Sequence, residues 1–159
     1  MKISADWLNN PSTRSVMKRL VSRGYQAYFV GGCVRNALLN IESKDIDIAT
    51  SAHPKKVLEI MENAELKALP TGIEHGTVTV VANKRNYEIT TLREDIKTDG
   101  RRAKVKFTKS ILEDARRRDF SINAIYSEQD GTILDPLNGI DDILGKRIKF
   151  IGDPYARIK

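Results

Sequence analysis

The most constraining feature of this 159-residue sequence is a short alternating segment, Asp45-Ile46-Asp47-Ile48. Strict alternation of polar and apolar residues predicts a β-strand, because side chains two residues apart lie on the same face. Asp45 and Asp47 would then project together, while the two isoleucines pack against a core. Neighbouring carboxylates repel unless a cation lies between them, and oxygen ligands of this kind suit Mg²⁺ or Mn²⁺. An isolated Asp-x-Asp pair is, however, more often a solvated strand face than a metal site.

A glycine pair, Gly31-Gly32, separates the apolar run 25–30 from a helical pattern over 33–39. Glycines between a strand and a helix let backbone N–H groups approach phosphate oxygens closely. Arg35, one turn into the helix, could pair with the same oxygens. The alternative is a tight turn with a surface arginine. Because the glycine pair precedes Asp45 by only 13 residues, on the adjacent predicted strand, phosphate-binding groups and metal ligands would lie side by side.

A third segment, Arg116 to Ala124, begins with three arginines and continues as Asp-Phe-Ser-Ile-Asn-Ala. Its alternate apolar residues can pack inward, which leaves Arg118, Asp119 and Asn123 available to a ligand. We expect Arg118 to bind triphosphate, and Asp119 or Asn123 to bind ribose hydroxyls. The alternative is the cationic start of an ordinary helix with Asp119 as its cap.

The net charge of +6 is concentrated in one stretch, because residues 84–118 hold twelve Lys or Arg against six Asp or Glu. A local basic surface favours polyanions such as nucleic acid or triphosphate, although a solvated loop without a partner has the same composition. No run of about 18 apolar residues is present, so no membrane-spanning helix is expected. The single cysteine, Cys33, excludes an internal disulfide and suits a reducing cytoplasm.

The order of elements predicts a mixed α/β domain, with a mixed sheet of about five strands flanked by helices. The polar segment 94–106 contains Gly100 and is expected to be a mobile loop. The first predicted helix begins at Pro11, and the other helical patterns cover 33–39, 54–63, 111–124 (as one or two helices) and 140–144. The predicted strands cover 25–30, 45–48, 77–81, 86–91, 132–134 and 147–151.

Taken together, the three segments resemble the head domain of class II tRNA nucleotidyltransferases, which also occurs in bacterial poly(A) polymerases. The resemblance runs from about residue 12 to 159 and includes Glu88 to Arg93 and Gly100-Arg101-Arg102. It implies a polymerase-β-like nucleotidyltransferase head over residues 1–151, followed by the start of a neck domain at 152–159.

The resemblance also implies roles for individual residues. Asp45 and Asp47 would hold two Mg²⁺ ions that activate a 3′-hydroxyl and stabilise the leaving pyrophosphate. Glu88 falls where related polymerases place a third catalytic carboxylate, and the alternative is a strand residue paired with an arginine. The implied nucleotide-binding residues are Gly31, Gly32, Arg35, Arg118, Asp119 and Asn123, and the implied RNA-facing residues of a flexible loop are Arg93, Arg101 and Arg102.

The activity implied is transfer of NMP from CTP or ATP to the 3′-hydroxyl of tRNA, in the cytoplasm and without a membrane. The segment that selects C and A, and the body and tail domains that hold tRNA, would follow Lys159. We therefore expect incomplete activity without those domains or a partner chain that supplies them. The alternatives are a poly(A) polymerase head and a non-catalytic nucleotide- or RNA-binding remnant. Asn36 stands where the family usually has Asp, and we expect this change to weaken the positioning of Arg35.

Overall fold

The computed structural model describes residues 1–98 and 102–152, and the side chains of these residues except 97–98 and 102–104. The helices are α1 (Asp6–Asn9), α2 (Pro11–Ser22), α3 (Gly32–Leu38), α4 (Pro54–Asn63), α5 (Ile111–Arg116) and α6 (Gly139–Leu144). The strands are β1 (Ala27–Val30), β2 (Ile46–Thr50), β3 (Lys67–Gly72), β4 (Thr77–Ala82), β5 (Arg85–Thr91), β6 (Arg93–Thr98), β7 (Arg102–Phe107), β8 (Tyr126–Ser127) and β9 (Ile133–Leu134). Short 3₁₀ turns occupy Ile73–His75 and Ser121–Asn123.

The main sheet is mixed and has the strand order β3-β4-β5-β2-β1-β8-β9. Strand β2 lies in the middle and pairs in parallel with β5, whereas its pairing with β1 is antiparallel. The predicted α/β class is therefore confirmed. Seven strands are present instead of about five, because β3 and the two-residue β8 carry no clear alternation that the sequence alone could reveal.

Helices α2 and α4 begin where the sequence predicts, since both have proline in their first turn. The Asn10 side chain also caps α2 by accepting a 2.9 Å hydrogen bond from the Ser12 amide. Both helices contribute buried residues to the larger hydrophobic core, which also contains Ile46 and Ile48 of β2. On the opposite face of β2, Ala49 is buried in a second cluster, and Asp47 is only partly buried.

The prediction of a loop over 94–106 is wrong for the described residues of that segment. Strands β6 and β7 pair as an antiparallel ribbon, in register from Arg93↔Phe107 to Thr98↔Arg102. Residues 102–107 (Arg-Ala-Lys-Val-Lys-Phe) alternate polar and apolar side chains, a strand pattern that the high charge of the segment obscured. A Lys106–Glu94 ion pair of 3.7 Å joins the two strands. Residues 99–101 lie outside the described part of the chain.

The end of the domain is less regular than the sequence predicts. The expected strand over 147–151 is reduced to a single bridge between Phe120 and Phe150, whose rings also pack with centroids 4.6 Å apart. Residues 153–159, most of the predicted start of a neck domain, lie outside the described residues. Among the residues that are described, no helix has the length and apolar character needed to cross a bilayer.

The contact between α6 and the 3₁₀ turn at 121–123 generates a stability prediction. A Cβ on Gly139 would overlap the carbonyl oxygen of Ser121 and lie 2.9 Å from Ile125. We expect Gly139→Ala to lower the free energy of unfolding by about 1–3 kcal/mol, measured by urea denaturation. Gly145→Ala is the matched control, because its Cβ would meet only the Arg147 side chain, which can rotate away. Equal losses in the two variants would contradict the contact.

Candidate functional site

Gly31 marks the point where three parts of the chain meet. It is buried, with φ +80° and ψ −137°, a conformation that residues with a Cβ rarely adopt. A Cβ at this position would lie 3.7 Å from Asp47 Oδ2 and 3.9 Å from the carbonyl oxygen of Asn123. The tight turn after β1, a carboxylate of β2 and the 3₁₀ turn therefore surround one small space.

Two further carboxylates lie beside Asp47. Asp45 is exposed and immediately precedes β2, one residue outside the strand predicted to contain it. Glu88, also exposed, is the register partner of Asp47 in the parallel β2–β5 pair. Register partners in adjacent strands project to the same face, so Glu88 and Asp47 are neighbours on the site face of the sheet.

The electrostatics of Asp47 follow from this arrangement. Burial raises the pKa of its carboxyl to about 6, and the negative charges of Glu88 and Asp45 act in the same direction, while Arg118 opposes them. In the described part of the chain, none of the three carboxylates forms an ion pair. A bound cation would relieve this repulsion, so the local charge suits a metal ion.

The donor set also limits how a metal ion would be held. Among the described residues, no three His, Cys, Asp or Glu side chains converge into a group that could enclose an ion. Mg²⁺ commonly takes one or two carboxylates and fills its remaining positions with water and substrate phosphates. Asp45 and Asp47 fit that mode of binding better than they fit a site built wholly from protein.

Asn36, which stands where the family usually has Asp, contacts Arg35 directly. The Asn36 Oδ1 atom accepts hydrogen bonds from Arg35 Nε at 3.3 Å and Nη2 at 3.2 Å. Asn36 is itself fixed by a 3.1 Å bond from its Nδ2 to Ser43 Oγ. Arg35 Nη1 donates to Asn123 Oδ1 at 2.7 Å. The neutral amide therefore positions Arg35 through geometry instead of charge.

Asp119 and Asn123 belong to the same hydrogen-bonded group. Asp119 Oδ1 accepts from the Phe120 amide at 2.7 Å and from Asn123 Nδ2 at 3.3 Å. Asn123 thus connects Asp119 with Arg35, and the structure brings these predicted nucleotide-binding residues together beside Gly31.

Sequence reasoning missed Asp114 and Tyr126, two buried residues that contact Arg118. Arg118 Nη2 donates to Asp114 Oδ2 at 3.1 Å, and its Nε donates to the Tyr126 hydroxyl at 3.3 Å. Asp114 also pairs with Arg117 at 3.1 Å. The available signal was an acidic residue three and four positions before two arginines on a predicted helix.

The three predicted RNA-facing arginines differ in how much of each residue the structure describes. Arg93 begins β6, and its amide donates to Asp114 Oδ1 at 3.0 Å. Its side chain is only 18% exposed and pairs with Asp95 at 3.5 Å, so it does not extend from a loop. For Arg102 only the backbone is described, in β7, and Arg101 lies outside the described residues.

Comparison with known proteins identifies the family of this domain. Residues 27–149 match the poly(A) polymerase head domain family. The chain belongs to this family. Its membership confirms the resemblance carried by the three segments, and the family is one whose nucleotidyltransferases use divalent metal ions.

Individual relatives of this head domain are CCA-adding enzymes. The enzyme of Leuconostoc citreum is 45% identical over 159 residues, which is 99% of this chain and 38% of that protein. The solved CCA-adding enzyme of Bacillus stearothermophilus in complex with CTP superposes with a TM-score of 0.83 and 38% identity, over 98% of this chain and 36% of that one. A tRNA nucleotidyltransferase complexed with a primer tRNA and an incoming ATP analog gives a TM-score of 0.66 and 27% identity, over 86% of this chain and 39% of that one. The head domain described here thus spans less than two fifths of each of these proteins.

The raised pKa of Asp47 predicts how stability depends on pH. Folding favours the protonated carboxyl, since its pKa is about 6 against an ordinary 3.8. The stabilising contribution of that proton is complete below pH ~4 and is lost as pH rises through ~6. We expect Asp47→Asn to exceed the parent in free energy of unfolding by about 1–2 kcal/mol above pH 6, allowing for partial exposure. The difference should fade below pH 4.

Urea denaturation between pH 2 and 8 in the presence of EDTA measures this effect. Asp130→Asn is the control of opposite sign, because hydrogen bonds from Thr132 lower the pKa of the exposed Asp130 carboxyl to about 2. That contribution is present above the ordinary carboxyl pKa and is lost as pH falls through 2. If Asp47→Asn differed from the parent by the same amount at pH 4 and pH 8, the electrostatic account of Asp47 would be wrong.

Proposed function

We propose that this head domain carries the nucleotidyl-transfer chemistry of a CCA-adding enzyme, moving NMP from CTP or ATP to the 3′-hydroxyl of tRNA in the cytoplasm. The observation that supports the proposal best is the meeting of Asp47, Gly31 and the Arg35–Asn123 pair. Negative side chains for a metal ion and positive side chains for phosphates are thereby placed within one small region. The CCA-adding enzymes among its relatives favour this substrate.

Asp45 and Asp47 are the proposed ligands of Mg²⁺. When bound, such ions activate a hydroxyl nucleophile and neutralise the charge that develops on the leaving pyrophosphate. Asp47 lies deeper than Asp45 and is held by the central strand, so it would fix the position of the ion. Glu88 adds negative charge at the register position beside Asp47 and favours a cation there, either as a third ligand or from just outside the ligand set.

The nucleotide would lie over the Gly31 turn. Backbone N–H groups of Gly31 and Gly32 can approach phosphate oxygens because no Cβ stands in the way. Arg35 and Arg118 would pair with the phosphates. Asp119 and Asn123, which bond to one another, would contact the ribose hydroxyls.

We further propose that residues 1–151 form the head and 152–159 the start of a neck domain. Base selection and the grip on tRNA would come from domains beyond the head or from a partner chain. Arg101 and Arg102, which the family resemblance assigns to an RNA-facing segment, would face RNA. A poly(A) polymerase head is the second candidate, because the family that matches residues 27–149 is described by that activity.

The transfer activity can be tested directly. The chain is incubated with Mg²⁺, tRNA lacking its 3′-CCA, and each labelled NTP in turn. Incorporation of any of the four nucleotides supports a catalytic head without base selection, incorporation of A alone supports poly(A) synthesis, and NTP binding without incorporation would show that this chain is not active by itself.

The two aspartates can be tested in the same assay. We expect Asp45→Ala and Asp47→Ala each to lower incorporation by about a thousandfold or more, because several kcal/mol of charge stabilisation would be lost. Asp130→Ala is a matched control, since Asp130 is an exposed carboxylate that pairs instead with Lys2. Parent-like incorporation by Asp47→Ala would refute the metal assignment.

A further inference from the structure

Asp114 is a fully buried carboxylate placed behind the proposed nucleotide site. Its side chain is 1% exposed and lies on α5, which packs against the second hydrophobic cluster through Ala115. Burying a lone carboxylate is strongly unfavourable, so a buried Asp requires partners that stabilise its charge. The groups that surround Asp114 must therefore stabilise its charge.

Asp114 accepts four hydrogen bonds, two on each oxygen. Oδ1 accepts from the Arg93 amide at 3.0 Å and from Arg117 Nε at 3.1 Å. Oδ2 accepts from Arg118 Nη2 at 3.1 Å and from the Tyr126 hydroxyl at 2.5 Å. Burial opposes ionisation, but the charges of Arg118 and Arg117 outweigh it, and the pKa of Asp114 lies below its ordinary value.

These contacts fix the guanidinium of Arg118 on three sides. Nη2 is bonded to Asp114, Nε is bonded to the Tyr126 hydroxyl at 3.3 Å, and the cation lies 5.6 Å from the centre of the Tyr126 ring. Nη1 has no hydrogen-bond partner in the described part of the chain. Tyr126, which holds the guanidinium, is the register partner of Val30 in β1, the residue immediately before the Gly31 turn, so Arg118 is held next to the strand that leads into the site.

We propose that Asp114 is a positioning residue for nucleotide transfer, holding Arg118 with a free N–H edge for the phosphates of the incoming nucleotide beside Asp47. Tyr126 acts with it, since one hydroxyl bridges the carboxylate and the guanidinium. The Arg93 amide joins the start of the β6–β7 ribbon to the same carboxylate, so ribbon and arginine share one anchor. This inference rests on the proposed function and adds to it the contacts that orient Arg118.

If Asp114 had a purely structural role, its substitution would lower stability without a specific loss of CTP affinity. The test therefore measures CTP affinity and stability separately. Asp114→Asn has the same shape but loses the charge. Because it can also unfold the domain, Tyr126→Phe is the milder variant, which keeps the ring and removes only the bridging hydroxyl. Arg117→Lys is the matched control, because it perturbs the other oxygen of Asp114, keeps the positive charge and leaves the contacts of Arg118 intact.

Binding of CTP with Mg²⁺ is measured by calorimetry, and KM and kcat are measured by incorporation into tRNA lacking its CCA end. We expect Asp114→Asn to weaken CTP binding and raise its KM by about tenfold or more, the loss typical of a truncated buried charge pair. Tyr126→Phe should have a smaller effect in the same direction, about threefold to tenfold, for one neutral hydrogen bond. Arg117→Lys should lower thermal stability without a comparable change in the Kd for CTP.

Coupling between residues provides the decisive measurement. In an Arg118→Lys background the hydroxyl of Tyr126 has no guanidinium to orient, so adding Tyr126→Phe should cause no further loss of CTP affinity. If the two substitutions weaken binding independently, or if Tyr126→Phe binds CTP as tightly as the parent, the positioning role is wrong while the proposed function stands. If the parent chain neither binds CTP nor incorporates it, the proposed function fails and this inference fails with it.

Discussion

The structure depends on the division of β2 into two faces. Ile46 and Ile48 belong to the large core that α2 and α4 also help to form, while Asp47 between them faces the site. A shift of one residue in register would place a carboxylate in the core and an isoleucine in water, which is strongly disfavoured. Parallel pairing with β5 then brings Glu88 beside Asp47. Burial of Ile46 and Ile48 on one side of the strand therefore keeps carboxylates that repel one another close together on the other side.

The charges around this strand are arranged unequally. The carboxylates of Asp45, Asp47 and Glu88 have no ion-pair partners among the described residues, whereas Asp114 is surrounded by donors. The two kinds of acidic site have different physical roles. Buried and fully bonded, Asp114 organises arginines, while the unpaired carboxylates retain the capacity to take up a cation.

Much of the site was predictable because its signals are local. The Asp-x-Asp alternation, the glycine pair and the arginine segment each lie within a few residues, and their chemistry follows from residue type. The contribution of Asn36 was only partly predictable, because the sequence shows the loss of a charge but not the two hydrogen bonds that its amide oxygen accepts from Arg35. The β6–β7 ribbon was missed because the charge and the glycine of the segment outweighed the alternation of 102–107, and because its pairing partner is visible only in the structure.

By itself, the sequence determined that the fold is mixed α/β, that Asp45 and Asp47 lie at a strand, and that a glycine turn between a strand and a helix precedes them. These results depend on the periodicity of side chains and on the backbone freedom of glycine, which are local properties. Only the tertiary structure decided that Asn123 contacts Arg35 across 88 positions of sequence, that Glu88 is the register partner of Asp47, and that Asp114 contacts Arg118. Such contacts arise when distant segments pack around one core, and no pattern within a single segment specifies which partners will meet there.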